Sequence, residues 1–136
     1  MEFLTSMKLA ASGLRAQSGR MRIIAENIAN ADSTGTAKGA DPYRRKMPSF
    51  QAALDRETGA SMVEMGPVRP DRSDFKTRFE PGHPAADADG YVKLPNVNTL
   101  IETVDMRQAQ RSYEANLNVI QSTRTMMQRT LDILRG

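Results

Sequence analysis

Apolar side chains recur at heptad spacing near both ends of this chain, which predicts a long helix at each end. The C-terminal segment, residues 99 to 135, contains neither Pro nor Gly. A Thr99 to Glu102 capping box, with Asn98 as a competing cap, marks its start. The apolar stripe that we expect to pack against other helices consists of Tyr113, Leu117, Ile120, Met127, Leu131 and Leu134, flanked by Ala109, Val119, Met126 and Ile133.

The predicted C-terminal helix is longer than a compact domain of this size. At about 1.5 Å per residue it would extend about 55 Å, whereas a compact chain of this size has a radius of gyration of about 14 Å. We therefore expect a rod whose stripe is completed by other chains. The alternative is a core helix of an ordinary bundle.

The N-terminal segment, residues 3 to 30, predicts a second helix of the same kind. It ends near Asn30, where the sequence turns to loop-forming residues. A cluster of small residues surrounds Gly13, and it fits either close approach of a neighbouring helix or a glycine tolerated on an exposed face. The predicted helix-packing positions are Met7, Leu14, Met21, Ile24 and Ile28.

Residues 31 to 98 hold all seven Pro and six of the nine Gly, so they separate the two helices. Short apolar alternations predict brief strands at residues 43 to 47, 61 to 65, 75 to 79 and 90 to 94. The predicted fold is mainly α, with two long terminal helices that pair as a coiled coil around a small insert rich in β-hairpins. The predicted divisions are an N-terminal rod helix, a Pro- and Gly-rich insert and a C-terminal rod helix, at residues 1–30, 31–98 and 99–136.

Composition narrows the class of protein. With 39% hydrophobic but only 5% aromatic residues, we expect one domain with a thin core. The net charge of +3 is spread out, and the only dense basic run is Arg44 to Lys46, which argues against a nucleic-acid partner. Nothing approaches the length of a transmembrane span or resembles a secretory signal, so we expect no membrane insertion and no cleaved leader.

Catalytic and metal-binding chemistry is not indicated. Asp87, Asp89 and Gly90 match part of a calcium loop, but its closing Glu is missing, which favours a turn. His83 is the only His and there is no Cys, so a zinc site or a catalytic triad has too few candidate residues. We expect His83 to cap or pack locally in a stiff turn. The sequence predicts a protein that is not an enzyme and has no cofactor.

Several stretches of the chain resemble known proteins. Residues 12 to 17 and 24 to 30 resemble the N-terminal signature shared by the rod and hook proteins of the bacterial flagellum. Residues 42 to 46 and 81 to 98, with part of the C-terminal helix, narrow the resemblance to the proximal rod proteins of that axial family. The matching signature positions are Ser12, Gly13, Leu14, Asn27, Asn30, Pro81, Gly82, His83, Pro84, Asp87, Gly90, Tyr91, Asn96, Asn98, Tyr113, Glu114 and Asn116.

The resemblance implies a structural subunit of the flagellar basal body that is exported by the flagellar type III apparatus. Such a subunit assembles with other rod proteins and further copies of itself into a drive shaft that transmits torque within the periplasm. The resemblance assigns no role to residues 56 to 74, and their role is left open. The rival interpretation is a soluble coiled-coil adaptor, followed by a basic amphipathic protein on a membrane or nucleic acid.

Overall fold

The computed structural model describes residues 2 to 136, and it confirms two long terminal helices separated by short antiparallel strands. Helix α1 spans Glu2–Ala29 and helix α2 spans Thr99–Arg135. The strands between them are β1 Lys46–Met47, β2 Phe50–Leu54, β3 Ser61–Met65, β4 Arg69–Pro70, β5 Lys76–Phe79 and β6 Tyr91–Leu94.

The six strands form three separate antiparallel pairs: β1 with β4, β2 with β3, and β5 with β6. The strand predicted at residues 61 to 65 is confirmed, and the other three predicted strands begin one to three residues later than expected. Strands β2 and β4 were not predicted. Gln51, Ala52 and Ala53 are poor strand formers, and Pro70 lacks the N–H that a ladder uses, so neither segment carries a propensity signal.

Side-chain caps define the two inner helix ends. Helix α1 ends at Ala29, as predicted, and Asn30 Nδ2 donates to the Glu26 carbonyl at 2.9 Å. The predicted Thr99 capping box is wrong, because Asn98 is the cap: its Oδ1 accepts hydrogen bonds from the backbone N–H groups of residues 100 and 101. The Glu102 carboxylate is used by other partners, described below.

The chain divides into two compact units, and each unit takes segments from both helices and from the insert. Unit 1 contains the chain up to Met21, then Ser49–Pro67 and Arg107–Gly136. Unit 2 contains Arg22–Pro48 and Val68–Met106. Strands β2 and β3 therefore belong to unit 1, and the other two strand pairs belong to unit 2.

Both units have thin cores. The buried apolar residues of unit 1 are the alanines at positions 10, 16 and 109. Unit 2 buries a cluster of Ala85, Ala86 and Val92, together with Ile24 and Val97. Because burial stabilises in proportion to apolar area, alanines contribute little each, and much of the large apolar surface stays outside these cores.

Candidate assembly surface

In unit 1 the two helices run antiparallel and meet at a glycine. Gly13 is buried, and a Cβ added there would lie 2.6 Å from Asn116 Nδ2. Seven residues after Gly13 on α1, Arg20 donates to Gln108 Oε1 at 3.1 Å, and Gln108 lies eight residues before Asn116 on α2. The two helices therefore run in opposite directions. Close approach of a neighbouring helix is therefore the correct explanation for Gly13.

The deepest residues of α2 in unit 1 form a row that the sequence analysis missed. Ala109 and Thr123 are buried, and Asn116 lies between them, half-buried, at intervals of seven residues. The sequence placed Ala109 in the flanking row with Val119, Met126 and Ile133, and identified Asn116 only as a family residue. The available signal was a heptad row of small or polar residues, which suits a helix partner that presents Gly and Ala.

The predicted helix-packing positions show graded burial. On α1, Ile24 is buried, Ile28 is exposed, and Met7, Leu14 and Met21 are half-buried. On α2, burial falls toward the C terminus. Tyr113 and Ile120 are half-buried, Leu117 and Met127 are a little over a third exposed, and Leu131 and Leu134 are 56% and 78% exposed. Their role as contacts with other subunits remains a prediction.

An exposed apolar surface occupies the second half of α2 in unit 1. We name it the C-terminal apolar surface, and define it as Leu117, Val119, Met126, Met127, Leu131, Ile133 and Leu134, all of which are exposed. Exposed apolar side chains in this number mark an interaction site. This surface is the candidate assembly site of the chain.

Unit 2 is organised around a buried side-chain amide. Asn27 is fully buried, and its Nδ2 donates to the Lys46 carbonyl at 2.8 Å and to Glu102 Oε2 at 3.3 Å. Its Oδ1 accepts from the Lys46 N–H at 3.0 Å and from the Tyr43 hydroxyl at 2.7 Å. All four hydrogen-bonding positions of the amide are filled, and burial raises the pKa of the Tyr43 phenol.

The same network contains a buried ion pair. Glu102 is 1% exposed, and its Oε1 accepts from Arg45 Nε. The Arg45 guanidinium also lies 3.3 Å from Asp71 Oδ2 and 4.0 Å from Asp105 Oδ2. Burial lowers the pKa of Arg45, but the hydrogen bonds and charges of Glu102 and Asp71 outweigh it and raise that pKa. The charge of this arginine is thus held by three carboxylates.

A second asparagine attaches the loop before β5 to this network. Asn96 Oδ1 accepts from the Arg45 N–H at 2.8 Å, and its Nδ2 donates to the Asp71 carbonyl at 2.9 Å and to Ser73. Hydrogen bonds from Ser73, followed by Arg45, lower the pKa of the Asp71 carboxyl. We call Asn27, Arg45, Asp71, Asn96 and Glu102 the polar junction. It ties α1, α2 and the insert together within unit 2.

The turn between β5 and β6 holds most of the remaining signature residues. His83 accepts a hydrogen bond from the Ala85 N–H at Nδ1 (3.0 Å), so it caps locally as predicted. Asp87 Oδ1 accepts from the N–H groups of Asp89 and Tyr91, which confirms a turn. Gly90 is buried with φ near +87° against the Phe79 ring. Pro81, Gly82, Pro84, Tyr91, Asn98 and Glu114 are exposed, Asn30 is half-buried, and Ser12 is buried.

Across residues 2 to 136, no group of three or more His, Cys, Asp or Glu side chains is arranged to hold a metal ion. Within the same part of the chain, neither α1 nor α2 is apolar enough to cross a membrane.

Comparison with known proteins agrees with this geometry. Residues 7–36 match the family model described as flagella basal body rod protein, and residues 88–133 match the C-terminal model of flagellar basal body rod FlgEFG proteins. A protein of Agrobacterium fabrum named flagellar basal-body rod protein FlgC is 54% identical over 129 residues, covering 95% of this chain and 93% of its own length. The chain belongs to the FlgC family.

Other members of the FlgC family are more distant but equally complete. The FlgC protein of Salmonella typhimurium is 42% identical, and the match covers 98% of both chains. The FlgC protein of Bacillus subtilis is 38% identical, over 94% of this chain and 95% of its own. The matches include both helices and the insert, so the family assignment concerns the whole fold and not one motif.

Proposed function

We propose that this chain is a structural subunit of the proximal rod of the bacterial flagellar basal body. In this proposal it assembles with other rod proteins and further copies of itself into the drive shaft that transmits torque, within the periplasm. The flagellar type III export apparatus delivers it without a cleaved signal peptide. Membership of the FlgC family supports the basal-body location and the structural role.

The C-terminal apolar surface is the observation that carries the proposal. Seven large apolar side chains lie exposed between residues 117 and 134, on a helix whose deep row faces α1 through small residues. Exposing seven large apolar side chains to water is costly unless a partner covers them. A rod of packed helices supplies that cover.

The three predicted divisions acquire roles in this proposal. The helices at residues 1–30 and 99–136 form the rod wall, and residues 31–98 face outward or bridge to neighbouring subunits. The polar junction supports this arrangement because it holds both helices and the insert in one register inside unit 2. No catalytic role, cofactor, nucleic-acid partner or membrane insertion is proposed.

The test places a charge on the candidate surface. Leu117→Asp, or Ile120→Asp beside it, should abolish incorporation into the rod while the chain is still synthesised and exported, because a carboxylate cannot be buried unpaired in an apolar contact. Basal bodies would be purified and imaged by electron microscopy, and motility scored. The matched control is Asn118→Asp, which adds the same charge at an exposed polar position. Normal rods with Leu117→Asp would refute the proposal.

A further inference from the structure

A groove in unit 2 lies between the second half of α1 and strands β1 and β4. It encloses about 560 Å³, within the size range of ligand pockets in proteins. Ile23, Val68 and Pro70 give it apolar walls. Val68 and Pro70 belong to residues 56 to 74, the stretch to which the sequence resemblance assigned no role.

The groove carries an excess of positive charge. Its charged lining residues are Arg22, Arg44, Lys46 and Arg69, with Glu26 as the one carboxylate among them. Lys46 Nζ already pairs with Glu26 at 3.0 Å, which raises the pKa of Lys46. In the described part of the chain, no carboxylate lies within ion-pair distance of any of the three arginines. Three positive charges therefore face the groove uncompensated.

Arg44 is held in place by groups that do not neutralise it. Its Nη1 donates to the carbonyls of Asp71 at 2.8 Å and Ser73 at 3.0 Å. The guanidinium carbon lies 4.2 Å from the centre of the Phe75 ring. These two carbonyls use both N–H groups of Nη1, so the planar edge formed by Nε and Nη2 remains to match a carboxylate. The arginine is preorganised for an anion that unit 2 does not supply.

We propose that this groove binds an acidic segment of a partner protein. An apolar side chain of the segment contacts Ile23 and Val68, while flanking Asp or Glu carboxylates pair with Arg44 and Arg69. A phosphate or a nucleic-acid backbone would match the charge but leave the apolar walls in water. The groove has three arginines without a carboxylate partner beside apolar walls. It therefore favours a peptide that carries both acidic and apolar side chains.

A second copy of this chain is a poor occupant. Its most exposed apolar segment is the end of α2, where Asp132 is surrounded by Arg129 and Arg135. That segment has the same sign of charge as the groove, so the partner is a different protein. The inference rests on the proposed function only for placing this partner in the rod, because binding itself can be measured on the purified chain.

The experiment measures binding of a defined probe to the purified full-length chain. A fluorescein-labelled peptide of alternating Glu and Leu residues should bind saturably, as followed by fluorescence anisotropy. Arg69→Gln and Arg44→Gln should each weaken binding about tenfold, since a charge-assisted hydrogen bond is lost. Arg44→Lys should also weaken it, because the fork is lost while the charge remains. Arg56→Gln, an equal charge change in unit 1, should leave affinity unchanged.

Control probes decide whether the groove is specific. Binding should fall when Gln replaces Glu in the peptide and also when Gly replaces Leu. Equal binding of either altered peptide, or displacement of the probe by inorganic phosphate or a DNA duplex through the same arginines, would overturn the proposal. Circular dichroism confirms that each variant is folded. Saturable peptide binding by the purified chain, together with intact rods in Leu117→Asp cells, would refute the assembly proposal and leave this one standing. Intact binding surfaces elsewhere do not rescue the groove: a chain that fails to bind the peptide refutes the groove proposal whatever the state of the rods.

Discussion

Unit 2 satisfies its buried polar groups from within the chain, whereas unit 1 exposes the apolar surface of its longest helical segment. In unit 2, Asn27 uses all four hydrogen-bonding positions, and Glu102 and Arg45 are paired in the interior. In unit 1, α2 contacts α1 at Gly13 and then carries Leu131, Ile133 and Leu134 into solvent. In the proposed assembly, unit 2 is ordered by contacts within the chain, whereas the exposed part of unit 1 is ordered by a partner.

Hydrogen exchange should give the largest contrast between the units. In the isolated chain, amides of residues 99 to 106 should exchange about a hundredfold more slowly than those of residues 124 to 135, because only the former lie beside the polar junction. Mass spectrometry of proteolytic peptides measures both in one experiment. Equal, strong protection along all of α2 at low concentration would favour the soluble adaptor over the rod subunit.

Glu102→Gln should break unit 2 at its most buried ion pair. The change keeps the shape of the side chain but leaves Arg45 without its buried partner, at a cost of about 3 kcal/mol. Urea unfolding followed by circular dichroism measures the loss. Glu114→Gln removes the same charge from an exposed position of the same helix and should cost less than about 0.5 kcal/mol. Similar costs for the two variants would contradict the importance of burial.

Gly13→Ala tests the helix contact of unit 1 with a smaller effect. The methyl group gains about 1 kcal/mol of helix propensity, but it collides with Asn116 and costs about 2 kcal/mol by overpacking. The expected net loss is about 1 kcal/mol in thermal or urea unfolding. Adding Asn116→Ala should restore stability, and failure of this rescue would place the strain elsewhere.

Acid should weaken unit 2 through Asp71 by a still smaller amount. Hydrogen bonds from Ser73 and Arg45 lower the pKa of Asp71 in the folded state. The unfolded chain therefore binds the proton more readily, and the contribution of this carboxylate is present above about pH 4 and is lost as the pH falls through the folded pKa. Asp71→Asn should flatten the pH dependence of unfolding between about pH 5 and 2. An unchanged slope would remove Asp71 from the acid response.

The sequence predicted the elements that repeat a simple period. Heptad spacing located both helices, Asn30 marked the end of α1, and alternation found the strand at residues 61 to 65. Strand β2 escaped prediction because Gln51 and two alanines pair with β3 through backbone groups, with little help from side-chain propensity. Short elements of this kind depend on a partner strand that local sequence does not identify.

The candidate site was predictable only in part. The apolar residues of α2 were identified from the sequence, but which residues of this helix are most buried was not. Ala109 and Thr123 are buried because their row faces α1, where Gly13 allows close approach of the two helices. The polar junction joins residues up to 75 positions apart, and no spacing rule relates Asn27 to Glu102. Asn27 was identified from the sequence only as a family residue. Its hydrogen bonds in the structure explain why this position has an amide side chain.

The separation of these partners along the chain has a consequence for the order of events during synthesis. A polypeptide that emerges from its N terminus presents Asn27 early, but the ion pair of Arg45 cannot form until Glu102 follows, when about three quarters of the chain is available. Contacts between such distant residues form slowly because long loops must close first. Unit 2 therefore cannot complete its buried network until most of the chain has been made, and unit 1, whose last segment ends at Gly136, is completed later still.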